Sequence, residues 1–155
     1  MPSPTISIEF LLNRIREVYD KLPFNRHLGI SVTYLTPEGA GLEFAMREEL
    51  IGNYVHGILH GGVISSVLDV TGGLTATISS AERLISLSPT EIKNRIARVG
   101  TIDLRIDYLR PGKGTHFYSI GTVMRAGRKV AVTRMELKNQ EDLLIAVGTG
   151  AYLMA

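Results

Sequence analysis

One carboxylate stands alone in a long apolar stretch of the sequence. Residues 50–81 are 32 residues with a single formal charge, at Asp69. Burying an unpaired carboxylate in such a segment would be costly, so the group must be hydrogen-bonded or used in chemistry. Asp69 is therefore a candidate general base or nucleophile in a water-poor site. The structural alternative is a carboxylate held by nearby hydroxyls, such as those of Ser65 and Ser66, or by a partner group.

The sequence His60-Gly61-Gly62 lies just before the apolar segment that holds Asp69. A helix that begins here would present free backbone N–H groups, and its glycines would let a substrate approach the backbone closely. Such a helix start can polarise a carbonyl or stabilise an oxyanion, whereas a plain glycine-rich loop is the structural alternative. About 12 Å of helix would separate His60 from Asp69, so the two would act together only from different subunits. Asn53 could orient a water or a carboxylate, or serve as a turn residue.

Composition excludes several kinds of site. The chain has no cysteine, which rules out disulfides, thiolate zinc sites and cysteine nucleophiles. His56 and His60 are four residues apart, but Gly57 between them opposes the helix that a metal pair would need. Phosphate-binding loops, dinucleotide fingerprints and nucleophile elbows have no match in the sequence. We therefore expect neither a metal ion nor any other cofactor.

Positive charge is concentrated in one part of the chain. The formal net charge is only +2, yet residues 93–138 hold 11 of the 17 Lys and Arg and only three acids. Such a segment suits a polyanion or a solvated strand surface. It has no aromatic platform or recognition-helix motif, so nucleic acid is not an expected partner. The most apolar window, residues 63–81, is a poor membrane span because it contains Asp69 and a glycine pair, and no signal sequence stands out. We expect a cytoplasmic protein with no membrane partner.

The periodicity of residue types predicts a mixed α+β fold. Apolar residues at helical spacing predict an N-terminal helix, and a segment that is apolar nearly all round predicts a helix at the centre of the fold. The predicted helices are residues 7–22, 63–78 and 88–99, the predicted strands are residues 28–35, 40–46, 102–108, 117–125, 129–138 and 143–153, and residues 51–62 are predicted to form a loop. An antiparallel sheet with one apolar face would wrap the buried helix, in a single domain over residues 1–155.

These residues resemble the motif of a known family. Asn53, the sequence HGG at residues 60–62 and Asp69 are similar to the pattern of hotdog-fold acyl-CoA thioesterases of the phenylacetic-acid-pathway type. Residues 100–111, GTIDLRIDYLRP, resemble the first long strand after the helix in that family. The resemblance covers residues 24–153, and the whole chain also resembles a bacterial acyl-CoA thioesterase subgroup of near-identical length. It implies a hotdog fold, in which an antiparallel sheet wraps around a long central helix.

The resemblance also implies a reaction and a set of roles. The substrates would be acyl-CoA thioesters with medium- to long-chain acyl groups, hydrolysed to free CoA and a carboxylic acid. Asp69 would be the general base or nucleophile, and the backbone N–H of Gly61 or Gly62 would polarise the thioester carbonyl. The carbonyl and the water would be positioned by three side chains, those of His60, Asn53 and Thr101.

Family resemblance implies an oligomer as well. The active unit would be a homodimer or homotetramer with active sites at the subunit interface, Asp69 coming from one subunit and the glycine loop from the other. Basic residues at strand ends and turns would then meet the phosphates of coenzyme A: Arg110, Lys113, Arg125, Arg128 and Lys129. The alternative function is a non-catalytic acyl-CoA-binding module on the same fold. A hotdog dehydratase or hydratase would pair a catalytic histidine with an acid in a different motif, which this sequence lacks.

Overall fold

The computed structural model describes residues 6–154. The helices are α1 (Ile8–Lys21), α2 (Pro23–Leu28), α3 (Gly61–Ile78), α4 (Ala81–Leu84) and α5 (Pro89–Ile96), with a short 3-10 turn at Glu48–Leu50. The strands are β1 (Ser31–Thr36), β2 (Gly39–Ala45), β3 (Ile51–Asn53), β4 (Ile58–Leu59), β5 (Gly100–Tyr108), β6 (His116–Ala126), β7 (Val130–Asn139) and β8 (Leu144–Leu153).

Six of the strands form one antiparallel sheet in the order β1-β2-β6-β7-β8-β5, so β1 and β5 are its edges. The helix α3 packs across β2, β5, β6, β7 and β8. The remaining strands, β3 and β4, form a small separate hairpin that leads into α3. This arrangement confirms the predicted hotdog fold, an antiparallel sheet around a long central helix.

The central helix α3 is buried because its side chains are apolar on most of its circumference. Leu68, Leu74 and Ile78 have no exposed surface and belong to one core cluster with residues of the sheet such as Phe117. By length and composition α3 resembles a membrane span, but 56% of it is buried inside the protein, as in the core helix of a globular fold. Its closest approach to the sheet is at Gly121, where an added Cβ would lie 2.1 Å from Oγ1 of Thr75 on the helix.

The N-terminal region differs in detail from the prediction. The predicted helix at residues 7–22 is α1, with Ser7 as its N-cap. The strand predicted from residue 28 begins only at Ser31, because Pro23 starts a second short helix rather than only ending the first. That helix closes at Gly29, whose φ of 72° is a conformation that glycine adopts easily. The sequence signal was Pro at the first position of a helix and Gly just after its end.

Two other boundaries were also predicted wrongly. The segment 51–62 is not entirely a loop, since it contains the β3–β4 hairpin and the first two residues of α3. The helix predicted at residues 88–99 ends at Ile96, and the chain enters β5 at Gly100. A complete capping box between Ser88 and Glu91 fixes the start of that helix.

Candidate active site

The Asp69 carboxylate is half-buried on α3 and is held by two hydroxyl groups from the sheet. Thr101 Oγ1, on β5, donates to Asp69 Oδ1 at 2.9 Å. Tyr152 Oη, on β8, lies 3.2 Å from the same carboxylate oxygen and 3.2 Å from the backbone carbonyl oxygen of Asp69. The two side-chain hydrogen bonds therefore converge on Oδ1, and among the described residues no side chain donates to Oδ2.

The hydroxyls suggested by sequence as structural partners of Asp69 are directed elsewhere. Ser65 and Ser66 both donate to the backbone carbonyl of Gly62, at 3.0 and 2.7 Å. They bond one turn back along their own helix, as Ser and Thr commonly do in helices. Ser65 and Ser66 are therefore not the groups that hold Asp69, and its hydroxyl partners come instead from β5 and β8.

Tyr152 is a site residue that sequence reasoning missed. Its side chain is almost completely buried, in a small cluster with Ala76, Ala131 and Met154. Burial, the nearby negative charge of Asp69 and the hydrogen bond to Asp69 raise the pKa of the Tyr152 phenol well above its ordinary value. The phenol consequently stays protonated and acts as a hydrogen-bond donor. A tyrosine in an alternating strand gives no sequence signal for such a role.

A second tyrosine approaches the site from α1. Tyr19 lies close enough to Asp69 for the carboxylate charge to contribute to its raised pKa, although burial is the larger cause. Its hydroxyl is 3.4 Å from Oγ1 of Thr77, two turns beyond Asp69 on α3. The last turn of α1 thus contacts the last turn of α3, two turns beyond the carboxylate.

The helix α3 begins at Gly61, directly after His60. His60 is the N-cap, and its Nδ1 accepts a 2.8 Å hydrogen bond from the Gly62 N–H. The proton of a neutral His60 is therefore on Nε2, which makes that nitrogen a donor. Within the described residues, the Gly61 N–H has no hydrogen-bond partner. The sequence analysis named the N–H of either Gly61 or Gly62 as the carbonyl donor. The Gly62 N–H is engaged by His60, so Gly61 is the candidate that remains.

The β3–β4 hairpin holds His60 in place. The His60 N–H donates to the Leu50 carbonyl at 2.9 Å, and β3 passes so close that a Cβ on Gly52 would lie 2.5 Å from the His60 Cα. Asn53 occupies the turn of this hairpin, where its Oδ1 accepts from the N–H groups of Val55 and His56 at 3.1 and 3.3 Å. The carboxamide oxygen of Asn53 therefore shapes the loop that precedes the glycines.

Within one chain, Asp69 and Gly61 stand at opposite ends of the site. They are eight residues apart on α3, which corresponds to about 12 Å. Each is tied to a different end of β5, since Thr101 bonds to Asp69 and the Tyr108 hydroxyl donates to the Gly61 carbonyl at 3.1 Å. The strand β5 is an edge of the sheet, and both of these residues are exposed on it.

The five cations predicted to bind coenzyme A form two separate groups. Arg110 and Lys113 lie between β5 and β6, and Arg110 Nη1 donates to the Leu144 carbonyl at 2.9 Å. Arg125, Arg128 and Lys129 lie at the other end of β6, which is eleven residues long and so spans roughly 30 Å. Because this length separates the two groups, one chain can offer only one of them to the phosphates of a given CoA.

A cavity of about 330 Å³ opens at the C-terminal end of α3. Its apolar lining comes from α4, α5 and the strand ends: Leu84, Leu87, Ile96, Val99 and Met154. Arg128 also lines it, together with Arg83 and Arg95. Val99 and Met154 belong to the same small apolar cluster as Tyr152, so the wall of the cavity is continuous with the packing around that side chain.

Comparisons with known proteins agree with this architecture. The thioesterase superfamily model matches residues 56–146. The chain is 43% identical over 153 residues to the medium/long-chain acyl-CoA thioesterase YigI of Escherichia coli K12, covering 98% of this chain and 99% of the relative. It is 42% identical to YigI of Salmonella typhimurium over the same length and coverage. A crystal structure from Shewanella oneidensis, described as related to the thioesterase superfamily, superposes with a TM-score of 0.91 at 43% identity, covering 96% of this chain and 97% of that one. The chain therefore belongs to the thioesterase superfamily.

Proposed function

We propose that this protein hydrolyses medium- to long-chain acyl-CoA thioesters to free CoA and a carboxylic acid. The observation that carries the proposal is the Asp69 carboxylate, fixed through Oδ1 by Thr101 and Tyr152, on the same helix whose N-terminus presents the Gly61 N–H. The acyl-CoA substrate class and chain length follow the name of YigI, to which this chain is 43% identical. A cytoplasmic location and a role in fatty acid metabolism belong to the same proposal.

The reaction uses one base and one oxyanion donor. Asp69 Oδ2 takes a proton from water, the water oxygen attacks the thioester carbonyl carbon, and the N–H of Gly61 of the partner subunit stabilises the oxyanion that forms. Collapse of this intermediate breaks the C–S bond, and the CoA thiolate leaves and is protonated. The alternative route, in which Asp69 Oδ2 attacks first and water hydrolyses the resulting anhydride, uses the same oxygen. His60 Nε2–H and the Asn53 carboxamide are proposed to position the carbonyl and the water.

We propose that the working site forms between two copies of the chain. Pairing the exposed edge β5 with itself, antiparallel about a two-fold axis near residues 104–105, would bring Thr101 opposite Tyr108 of the partner subunit. Because Thr101 is bonded to Asp69 and Tyr108 to the Gly61 carbonyl, this pairing brings the carboxylate of one subunit towards the glycines of the other.

Exposure of apolar side chains supports this pairing. The alternation in β5 predicts a buried face, yet Ile102 and Tyr108 at its two ends are 56% and 54% exposed in the single chain. Tyr54 and Val55, at the tip of the β3–β4 hairpin, are exposed as well. An edge strand with apolar ends is a template for pairing with another chain, and a second copy would cover it.

The same pairing would let both groups of cations contribute to one coenzyme A site. Arg125, Arg128 and Lys129 lie at the end of the sheet where Asp69 is, and Arg110 and Lys113 lie at the end where Gly61 is. A dimer would therefore offer one group from each subunit to coenzyme A. The cavity at the end of α3 suits the acyl chain, because half of its lining residues are apolar and two of them, Val99 and Met154, belong to the cluster that contains Tyr152.

The test is thiol release from a panel of acyl-CoAs of increasing chain length by the unsubstituted protein and by Asp69→Asn. Asparagine keeps the shape and can still accept from Thr101, but it cannot take a proton, so kcat/KM should fall by about 10²- to 10⁴-fold. Asp142→Asn is the matched control. Asp142 lies in an exposed turn with φ 59°, which asparagine also adopts readily, and this variant should keep full activity.

Retained turnover in Asp69→Asn would overturn the assignment of the carboxylate. If the unsubstituted protein releases no thiol, calorimetry with the same panel decides between the two functions. Binding of acyl-CoA without hydrolysis would establish the non-catalytic binding module instead. The oligomeric state is measured on the same sample by light scattering, and a monomer that turns over acyl-CoA would overturn the shared site.

A further inference from the structure

We propose that Tyr152 is a positioning residue for the reaction: its phenol holds Asp69 Oδ1 and thereby fixes Oδ2 as the oxygen that receives the proton of water or attacks the thioester. This inference rests on the proposed thioesterase function. It adds a residue from the last strand of the fold to a site otherwise built from the central helix and the edge strand.

The hydrogen-bond geometry supports this role. Tyr152 Oη is 3.2 Å from both Oδ1 and the backbone carbonyl oxygen of Asp69, so one hydroxyl ties the side chain to its own backbone. Thr101 holds the same Oδ1 from the other strand, at 2.9 Å. With two donors on one oxygen, rotation of the carboxylate is restricted, and no side chain in residues 6–154 donates to the other oxygen. A carboxylate that must meet a substrate in one orientation benefits from such restriction.

Two glycines next to Tyr152 leave room for its phenol. An added Cβ at Gly72 would lie 2.1 Å from Tyr152 Oη, and one at Gly150 would lie 2.6 Å from both the ring and the hydroxyl of Tyr152. Two glycines on two different elements thus leave the volume that the ring and its hydroxyl fill. Glycine is unfavourable within a helix relative to alanine, so the presence of Gly72 is explained by the space that this hydroxyl needs.

Tyr152 donates a hydrogen bond to the Asp69 carboxylate and is buried from solvent. Its side chain is only 1% exposed, and it contacts Ala76, Ala131 and Met154. Because the phenol stays protonated, it donates to the carboxylate over the whole range in which an acyl-CoA assay is run. Loss of the hydroxyl should therefore lower the rate of the chemical step and leave substrate binding unchanged.

The experiment compares Tyr152→Phe with Tyr19→Phe. Each change removes one buried phenol hydroxyl near Asp69 and keeps the ring, but the Tyr19 hydroxyl contacts Thr77 and not the carboxylate. A hydrogen bond to a charged group is worth about 1.5–3 kcal/mol, so Tyr152→Phe should lower kcat by roughly ten- to a hundred-fold. KM should stay within about twofold by the same reasoning. Tyr19→Phe should change neither constant.

A double variant separates positioning from a general structural effect. If Tyr152 acts through Asp69, then Asp69→Asn/Tyr152→Phe should be no slower than Asp69→Asn, because the group being positioned is already disabled. An unchanged kcat in Tyr152→Phe, an effect on KM only, or a full further loss in the double variant would overturn the inference while leaving the thioesterase proposal standing. Absence of turnover in the unsubstituted protein would overturn both.

Discussion

The central helix contains the dipeptide Gly-Gly twice, and the two pairs lie in different surroundings. Gly61-Gly62 begins α3 at an exposed end, where one N–H is capped by His60 and the other has no partner among the described residues. Gly72-Gly73 lies eleven residues further on, inside the fold, where Gly72 faces the hydroxyl of Tyr152. The first pair exposes backbone to a substrate, and the second makes room for a side chain that holds the carboxylate.

This difference shows that the role of a glycine pair depends on which atoms lie next to it in the fold. At Gly62 an added Cβ would lie 2.9 Å from Nδ1 of His60, so that glycine keeps room for its own cap. At Gly72 the nearest atoms belong to Tyr152 and Met135, which come from strands far away in the sequence. Only the fold brings those strands to the helix, so the sequence shows where the two glycine pairs lie without showing what approaches each of them.

Among substitutions in the two glycine pairs, the largest effect is expected from Gly61→Pro. Proline removes the one N–H that we assign to the oxyanion and is otherwise favoured at the first position of a helix, as Pro23 and Pro89 already are in this chain. The preceding His60 has φ −64° and ψ 137°, a conformation that a following proline accepts. Loss of one such donor should lower kcat by about 10²- to 10³-fold.

Gly61→Ala is the matched control for this variant. Alanine keeps the N–H, and its Cβ would lie 3.5 Å from the Tyr108 ring, an ordinary contact. Its kcat should stay within about tenfold of the unsubstituted value, since the donor whose loss is costly is retained. Equal kcat values in the proline and alanine variants would show that the Gly61 N–H does not take part.

The next largest effect is expected from Gly72→Ala, and here it falls on stability. The new methyl group would lie 2.1 Å from Tyr152 Oη and 2.9 Å from the sulfur of Met135, so these buried side chains must move. Overpacking of this kind costs about 1–3 kcal/mol. Urea unfolding at fixed protein concentration should show that loss, and kcat should fall with it because the Tyr152 hydroxyl leaves Asp69. Wild-type stability together with wild-type kcat would contradict the assignment of Gly72.

Sequence predicted the parts of this molecule that depend on local patterns. The alternation in the last four strands and the all-apolar central helix correspond to β5–β8 and α3 to within a few residues. Asp69 and the glycines at the start of α3 were identifiable because a lone carboxylate in an apolar segment and a His-Gly-Gly helix start are local features. The short helices α2 and α4 were missed, because helices of six and four residues are too short to show a clear apolar periodicity.

Features that depend on pairing between distant strands could not be predicted. Tyr152 reaches Asp69 only because β8 lies beside β5 and over the middle of α3, and an alternating strand offers no hint of it. The five cations looked like one basic segment, but the length of β6 divides them. The apolar positions of β5 indicated a buried face, whereas the sheet order makes β5 an edge, which is why a second copy of the chain enters the proposed site.

The smallest effect, and one of opposite sign, is expected from Gly73→Ala. Its added Cβ would lie 3.6 Å from Cε1 and 3.8 Å from Cδ1 of Tyr152, which is normal van der Waals contact. Alanine is favoured over glycine within a helix and restricts the unfolded chain, so the free energy of unfolding should rise by about 0.4–1 kcal/mol. Urea unfolding beside Gly72→Ala measures the difference between two adjacent glycines, and kcat should be unchanged because the methyl group supports the Tyr152 ring without moving its hydroxyl. Destabilisation by Gly73→Ala would show that both glycines of the pair are needed for close packing, and the role assigned here to Gly72 alone would have to be shared.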